Sequence, residues 1–327
     1  MEILPGRPVQ NAARMLGQIQ AARIEMVLFP EMAVPGYLIG DEWERHAFLR
    51  ECERCSEDIR AASSGLVVAF GSIAVDWNKR NEDGRVRKYN ALFVAEDGRF
   101  IGPDNSPYPF VIKTLLPNYR EFDDSRHFYD LRKLALELGR PATDMIAPVR
   151  TRLGLLGCVL CEDAWNMDYA LSPLDILARK GAAVLLNLSC SPFTVNKNHK
   201  RNRVFSAHAR DLGKPLVYVN NVGIQNNGKT VFTFDGSSCV YDSHGNQLVC
   251  GMPFEDTCLT FDLPTAPGAA FGAPVERRHD TIEHVGAALG YGTKKFMDLC
   301  RVSRVTVGLS GGVALGLVGW AFLARSL

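Results

Sequence analysis

The sequence predicts an α/β protein built as a layered sandwich, and three observations carry that prediction. Apolar, β-rich runs recur along the chain; segments with an apolar stripe every three to four residues lie between some of them; and residues 230–263 string strand-like pieces on tight turns. Crossovers and hairpins in one chain call for sheets covered by helices.

In chain order, Ala12, Met15, Leu16 and Ile19 predict a first helix, and IEMVLF (24–29) a first strand. Phe48, Cys52, Cys55 and Ile59 mark a second helix. LVVAFGSIAV (66–75), NALFVA (90–95), LGLLGCVLC (153–161), AAVLLNLS (182–189) and PLVYVNNVG (215–223) read as buried strands. FDGS and DSHGN read as turns between the strand-like pieces after residue 230. PTAPGAAFGAP (264–274) has linker composition. Beyond it Ile282, Val285, Leu289 and Phe296 predict a helix, followed by a strand (Val305 to Leu309), a Gly turn and an apolar final helix. The expected organisation is therefore one large domain, 1–263, a linker, 264–274, and a short unit, 275–327. One strand with two helices cannot close a core, so that last unit is expected to be a fragment of something larger.

Composition narrows the function classes. The 327 residues carry 37 basic and 36 acidic side chains, a net of +1, which argues against a nucleic-acid footprint or a polybasic membrane patch. No apolar stretch reaches the roughly 18 to 20 residues of a spanning helix, and the N-terminus lacks the pattern of a signal peptide. Nine cysteines, an odd number scattered along the chain, do not form a disulfide framework. A cytoplasmic location is expected.

Three strand ends carry chemistry. Cys161 closes the apolar run 153–161 and is followed at once by Glu162, Asp163, Ala164 and Trp165. The C-terminal edge of a buried strand is where α/β folds place their sites, and a thiol there is a nucleophile if a neighbour accepts its proton. Glu31 ends the run that starts with IEMVLF, among apolar neighbours, a setting suited to a general base. Lys113 ends PYPFVIK (107–113). Together they suggest one cleft in which the glutamate takes the thiol proton, the thiolate attacks a carbonyl or nitrile carbon, and the ammonium stabilises the oxyanion and the departing amine.

The blocks FPEMAVPGY (29–37), KTLLPNYREFDD (113–124), LCEDAW (160–165), NLSCSPF (187–193) and FDGSS (234–238) resemble the nitrilase superfamily of carbon–nitrogen hydrolases. The likeness is greatest to the glutaminase domain of glutamine-dependent NAD synthetases and runs from about residue 5 to 313. The resemblance implies a four-layer α-β-β-α sandwich and a Glu-Lys-Cys triad: Glu31 as proton acceptor, Lys113 as oxyanion and ammonia-handling group, Cys161 as the nucleophile that forms a glutamyl thioester. It also implies substrate contacts at Tyr119, Glu162, Ser191 and Lys197. Hydrolysis of that kind uses no cofactor or metal, and the ammonia released passes to a synthetase site. Relatives of this kind make a homo-oligomer plausible.

The sequence departs from the pattern twice. The synthetase half opens with a phosphate loop of the form SGGxDS; here Ser310, Gly311, Gly312 and Val313 are followed by Ala314 and Leu315. Residues 275–327 thus resemble the truncated start of an NAD synthetase domain with a degenerate loop. Neither ATP binding nor NAD synthesis is expected from this chain alone; ATP and Mg would require a complete domain. At the start, Met1-Glu2-Ile3-Leu4 leaves only the end of a family strand before Pro5-Gly6, which would expose partner edges.

Rival readings use the same residues. Cys52/Cys55 and Cys158/Cys161 have CxxC spacing, but positions i and i+3 of a strand face opposite ways and the Cys52/Cys55 face is an apolar helix stripe, so zinc is not expected. His199, Lys200, Arg201, Arg203, His208 and Arg210 form a basic helix without interleaved aromatics, read as a solvated face or a subunit contact. Two alternatives to a glutaminase stay open: a standalone amidase or nitrilase acting on another small amide or nitrile, and a catalytically defective remnant that serves as a binding module.

Overall fold

The computed structural model describes residues 1–119, 122–165, 168–226, 228–263 and 282–306. Its elements run α1 (Pro8–Ala21), β1 (Met26–Leu28), α2 (His46–Ala61), β2 (Val67–Arg80), β3 (Val86–Glu96), β4 (Arg99–Ile101), β5 (Val111–Ile112), α3 (Asp124–His127), α4 (Leu131–Glu137), α5 (Ala142–Met145), β6 (Val149–Thr151) and β7 (Gly154–Leu160). They continue with α6 (Pro173–Arg179), β8 (Val184–Ser189), α7 (Lys197–Leu212), β9 (Leu216–Asn220), β10 (Val222–Asn226), β11 (Val231–Asp235), β12 (Cys239–Tyr241), β13 (Gln247–Cys250) and α8 (Ile282–Leu299). A 3-10 turn, Cys161–Ala164, follows β7 directly.

Two sheets form the body. One has the order β1-β2-β3-β4, with β5 also on β3; the other runs β13-β12-β9-β8-β7-β6 and is parallel through β7, β8 and β9. Strand alternation sorts their side chains into two cores. Val67, Ala69, Leu92 and Val94 of the first sheet meet Leu156, Cys158, Leu160, Leu186, Leu188 and Val217 of the second. Their neighbours in sequence, Val68, Phe70, Phe93, Val159, Leu185 and Tyr218, face outward under the helices. On those outer faces α2, with α1 packed against it, covers the first sheet, and α6 and α7 cover the second. Each large apolar side chain so enclosed stabilises the fold by about 1.5–3 kcal/mol relative to exposure. The result is the four-layer α-β-β-α sandwich that the family resemblance implies.

Helices α1 and α2 bury the faces read from their periodicity. Ala12, Met15 and Ile19 of α1 are buried, as are Phe48, Cys52, Cys55 and Ile59 of α2, so that cysteine pair is core packing. The start of the chain is docked: Glu2 bridges Val222 in parallel, the Ile3 N–H donates to the Val222 carbonyl at 3.1 Å, and Ile3 is buried.

The helix predicted from Ile282, Val285, Leu289 and Phe296 forms as α8, with Ile282, Leu289 and Phe296 exposed and Ala288 buried. That helix lies against β10 and β11 on its small residues, with Gly292 so close to Thr233 that a Cβ would sit 2.6 Å from Oγ1. Small residues win here because they allow the backbones to approach, and they carry almost no hydrophobic signal. Of the strand read from Val305 to Leu309 only Val305 and Thr306 are described, both irregular and exposed; the rest lies outside the described residues. Arg201 is not on a solvated helix face but fully buried. The 264–274 linker and the Ser310-Gly311-Gly312 loop lie outside the described residues. No helix among the described residues is long and apolar enough to cross a membrane.

Candidate active site

Glu31 is reached three residues after β1, where the chain turns through Pro30. Its neighbour strand has to yield space: a Cβ on Gly71 would lie 2.4 Å from the Met32 nitrogen and 2.5 Å from the Glu31 Cα. Glycine at 71 therefore lets the turn sit against β2, where the Gly71 N–H donates to the Pro30 carbonyl at 3.0 Å. The Glu31 carboxylate is completely buried. Its Oε1 accepts from Asn90 Nδ2 and from Lys113 Nζ, both at 2.8 Å, and its Oε2 accepts the Cys190 N–H at 2.9 Å.

Lys113 follows β5 and is itself 1% exposed. Besides Glu31, its ammonium donates to the Tyr37 hydroxyl at 3.0 Å and to Asp124 Oδ2 at 3.2 Å. Burial works against the charge, but Asp124 first and Glu31 second more than reverse that, so the Lys113 pKa stands well above its ordinary value.

Cys161 begins the 3-10 turn at the end of β7 with φ of +38°, a left-handed conformation that costs a non-glycine residue about 1–3 kcal/mol. The turn is held by Asp163. Its Oδ1 accepts the Thr114 and Leu115 N–H groups at 3.0 and 2.7 Å, and its Oδ2 accepts the Leu160 N–H at 3.2 Å. One buried carboxylate thus ties the backbone before Cys161 to the backbone after Lys113. Burial pushes Asp163 up to about 7, against the pull of those three donors. Burial also pushes the Cys161 thiol up to about 12; Glu31 and Glu162 add to this, while Lys113 and Lys197 act the other way. The thiol is therefore protonated at rest, in the field of both Glu31 and Lys113.

The remaining sequence-predicted residues differ in burial and in partners. Glu162 is buried and accepts from the hydroxyls of Tyr119 at 2.8 Å and Tyr169 at 3.0 Å. Tyr119 itself is exposed. Lys197 opens α7, its ammonium 5.8 Å from the Trp165 ring centroid. Ser191 is buried, its N–H given to Asn220 Oδ1 at 2.8 Å and its hydroxyl 3.5 Å from Arg201 Nη2. Arg201 in turn makes a two-armed buried ion pair with Asp235, at 3.0 and 3.2 Å. That pair anchors α7 to β11 beneath the Ser191 loop.

Sequence reasoning gave no role to Tyr37, Asn90, Asp124 and Cys190, which bond to Glu31 or Lys113 directly, or to Asp163, which bonds to the backbone beside Lys113 and Cys161. Tyr37 and Asp124 are the last residues of the FPEMAVPGY and KTLLPNYREFDD blocks, and Asn90 is the one polar side chain of NALFVA. A polar residue inside an apolar run was the available signal.

Comparison with known proteins agrees with this architecture. Residues 7–267 match the carbon–nitrogen hydrolase family. Among curated relatives, the glutamine-dependent NAD(+) synthetase of Xanthomonas campestris pv. campestris is 31% identical over 322 residues, covering 96% of this chain and 52% of that protein. That of Synechocystis is 25% identical over 325 residues, covering 96% and 54%. The chain spans about half the length of these relatives. Among solved structures, the glutamine-dependent NAD+ synthetase of Acinetobacter baumannii superposes with a TM-score of 0.78 at 24% identity, over 100% of this chain and 56% of that one. A carbon–nitrogen hydrolase of Helicobacter pylori superposes at 0.60 and 21%, over 78% and 85%. The match over most of the chain, on a four-layer sandwich, shows that this protein belongs to the carbon–nitrogen hydrolase family, a family of hydrolase enzymes.

Proposed function

We propose that the chain hydrolyses the side-chain amide of glutamine to glutamate and ammonia, with Cys161 as nucleophile, Glu31 as proton acceptor and Lys113 as oxyanion stabiliser. The observation that carries this reading is the buried 2.8 Å bond between Lys113 and Glu31 in the electrostatic field of a strand-end thiol. Because the thiol is protonated at rest, Glu31 takes its proton as Sγ attacks the amide carbon. The carbonyl oxygen becomes an oxyanion facing the Lys113 ammonium. Glu31 returns the proton to the amide nitrogen, the C–N bond breaks, ammonia leaves, and a glutamyl thioester remains. Water, giving a proton to Glu31, then attacks the thioester; the C–S bond breaks and the thiol is restored with release of glutamate.

Charge favours an amino acid over a plain amide or nitrile. Glu162 and Lys197 both act on Cys161 electrostatically, with opposite signs. An anion and a cation beside the thiol suit the ammonium and carboxylate of a zwitterionic substrate. In this reading Tyr119 orients Glu162, and Ser191 lines the same end. The names of the relatives suggest that the ammonia feeds NAD+ synthesis. On this reading residues 1–263 are the hydrolase unit, residues 275–327 open the synthetase unit, and ATP and Mg belong to its complete form.

The test is turnover by the full chain of glutamine, a short aliphatic amide and an aliphatic nitrile, each with wild type and Cys161→Ala. The expected result is glutamine hydrolysis that disappears in Cys161→Ala, with a glutamine-like electrophile trapped on Cys161 by mass spectrometry. A preference for the plain amide or nitrile would refute the substrate assignment, and hydrolysis by Cys161→Ala would refute the mechanism.

A further inference from the structure

Two thiols outside the candidate active site face each other at the edge of the second sheet. The DSHGN turn brings β13 back against β12, and the register sets Cys239 directly opposite Cys250. One residue further along, the Gly251 N–H donates to the Ser238 carbonyl at 2.8 Å, so Ser238 and Gly251 form a hydrogen-bonded pair. Pairs alternate along an antiparallel ladder, which makes Cys239 and Cys250 a non-hydrogen-bonded pair, with opposite Cα atoms about 4.5 Å apart and side chains close together. That spacing lies within the roughly 4.4–6.8 Å that a disulfide spans. Both side chains lie on the outer face, under α7, and the two Sγ atoms are 3.3 Å apart.

The two sulfurs differ in access. Cys239 is 1% exposed. Its Sγ accepts from Gln247 Nε2 at 2.9 Å and lies 3.2 Å from the Ser237 carbonyl oxygen and 3.8 Å from Oδ1 of Asn202 on α7. Burial first and Cys250 second hold its thiol well above the ordinary range, so it stays protonated. Cys250 is half-buried and lines a small cavity with Asn202, Gln247, Gly251 and Phe254. Among the described residues no third His, Cys, Asp or Glu joins the pair to make a metal-binding group.

We infer that Cys239 and Cys250 form a redox-active dithiol, in which Cys250 meets a small peroxide and Cys239 resolves the product. The Cys250 sulfur gives up its proton and attacks one peroxide oxygen; an S–O bond forms, the O–O bond breaks, and the other oxygen leaves with that proton as water. Cys239 Sγ then attacks the sulfenic sulfur; the S–S bond forms, the S–O bond breaks, and the departing hydroxide takes the Cys239 proton. Two thiols and one peroxide give one disulfide and two waters, with two electrons passing from sulfur to oxygen. To close, the sulfurs move only from 3.3 Å to the roughly 2.05 Å of the bond. The consequence is mechanical. Strand β13 ends the second sheet and pairs there with β12, and a register shift between Val240 and Tyr241 interrupts that pairing. The disulfide staples this edge strand where the chain leaves the sheet. The inference stands apart from the reaction proposed for Cys161.

The experiment treats the reduced full chain with hydrogen peroxide in slight excess, for wild type, Cys250→Ser and Cys239→Ser. Remaining thiols are alkylated, and the chain is digested without reductant beside Asp242, so that the two cysteines fall on separate peptides for mass spectrometry. The expected wild-type product is a pair of peptides joined through Cys239 and Cys250, lighter by two hydrogens and separated again by dithiothreitol. Cys239→Ser is expected to stop at a sulfenic acid on Cys250, captured by dimedone, and Cys250→Ser to leave the Cys239 thiol unmodified. A wild-type map in which Cys258 or Cys300 is oxidised while Cys239 and Cys250 remain unlinked overturns the inference. Dimedone capture on Cys239 in Cys250→Ser, with none on Cys250 in Cys239→Ser, overturns the assigned roles. The wild-type map needs no variant to fold, and the same treatment in urea shows whether the fold selects the pair. A native map dominated by the 239–250 link, against mixed pairings in urea, supports the inference; a native map as mixed as the unfolded one overturns it.

Discussion

Replacing Glu31 by Gln tests the proton acceptor with the least change of shape. The side chain accepts three hydrogen bonds, two at Oε1 from Asn90 and Lys113 and one at Oε2 from the Cys190 N–H. A glutamine that keeps its oxygen at the Oε1 position retains the first two. Its NH2 then faces the Cys190 N–H, donor against donor, and that one bond is lost at about 1.5–3 kcal/mol. Removing an anion from a fully buried cluster offsets part of this, because Asp124 still balances Lys113. Stability is therefore expected to move by no more than about 2–3 kcal/mol, well inside the 5–15 kcal/mol of an ordinary fold. Catalysis falls much further. General-base transfer contributes about 10²–10⁴-fold, and with the thiol pushed up to about 12 no appreciable thiolate exists at neutral pH to bypass it. The assay is glutamine hydrolysis alongside thermal unfolding. A folded Glu31→Gln variant within tenfold of the wild-type rate would refute the role given to Glu31.

Two further outcomes follow from the same geometry. Asp163→Ala leaves the Thr114, Leu115 and Leu160 N–H groups without their acceptor; at about 1–3 kcal/mol for each orphaned donor, the melting temperature is expected to drop by at least about 6 °C, and a shift under about 2 °C would contradict the clamp. Inactivation by iodoacetamide is expected to accelerate about tenfold per pH unit from about pH 7 to 9, as a protonated thiol requires; a rate flat across that range would mean a preformed thiolate.

The sheets were legible because their interiors are apolar and β-branched on both faces: Val67 to Phe70 and Leu185 to Leu188 are buried whichever way they point. Strand ends were legible for the same reason, since Glu31, Lys113 and Cys161 each break an apolar run. What stayed hidden depends on contacts that leave no local pattern. Asp163 acts through backbone N–H groups, which any sequence supplies, so nothing distinguishes it from Glu162 beside it. Arg201 looks like one more charge on a basic helix, and only its pairing with Asp235, 34 residues away, places it in the interior. In α8 the helical period was legible, whereas the contact through Ala288 and Gly292 was not, because small residues pack by closeness and carry almost no hydrophobic signal.

The position of strain adds a separate line of argument. Met32 and Cys161 both take positive φ, at +50° and +38°, and each lies at or directly after a residue of the proposed triad. Cys161 directly follows the end of β7, and Met32 follows Glu31 in the turn after β1. Ordinary strand geometry would leave Glu31 and Cys161 alternating into one core or the other, as Val159 and Leu160 do. The surrounding structure has to enforce the departure, and the residues that do so can be named: Gly71 by having no side chain under the Glu31 turn, Asp163 by gathering three N–H groups beneath the Cys161 turn. Both enforcers act on backbone. The two polar side chains are therefore aimed by rigid sheet edges, independently of whether substrate is bound, which is the preorganisation that electrostatic stabilisation of an oxyanion demands.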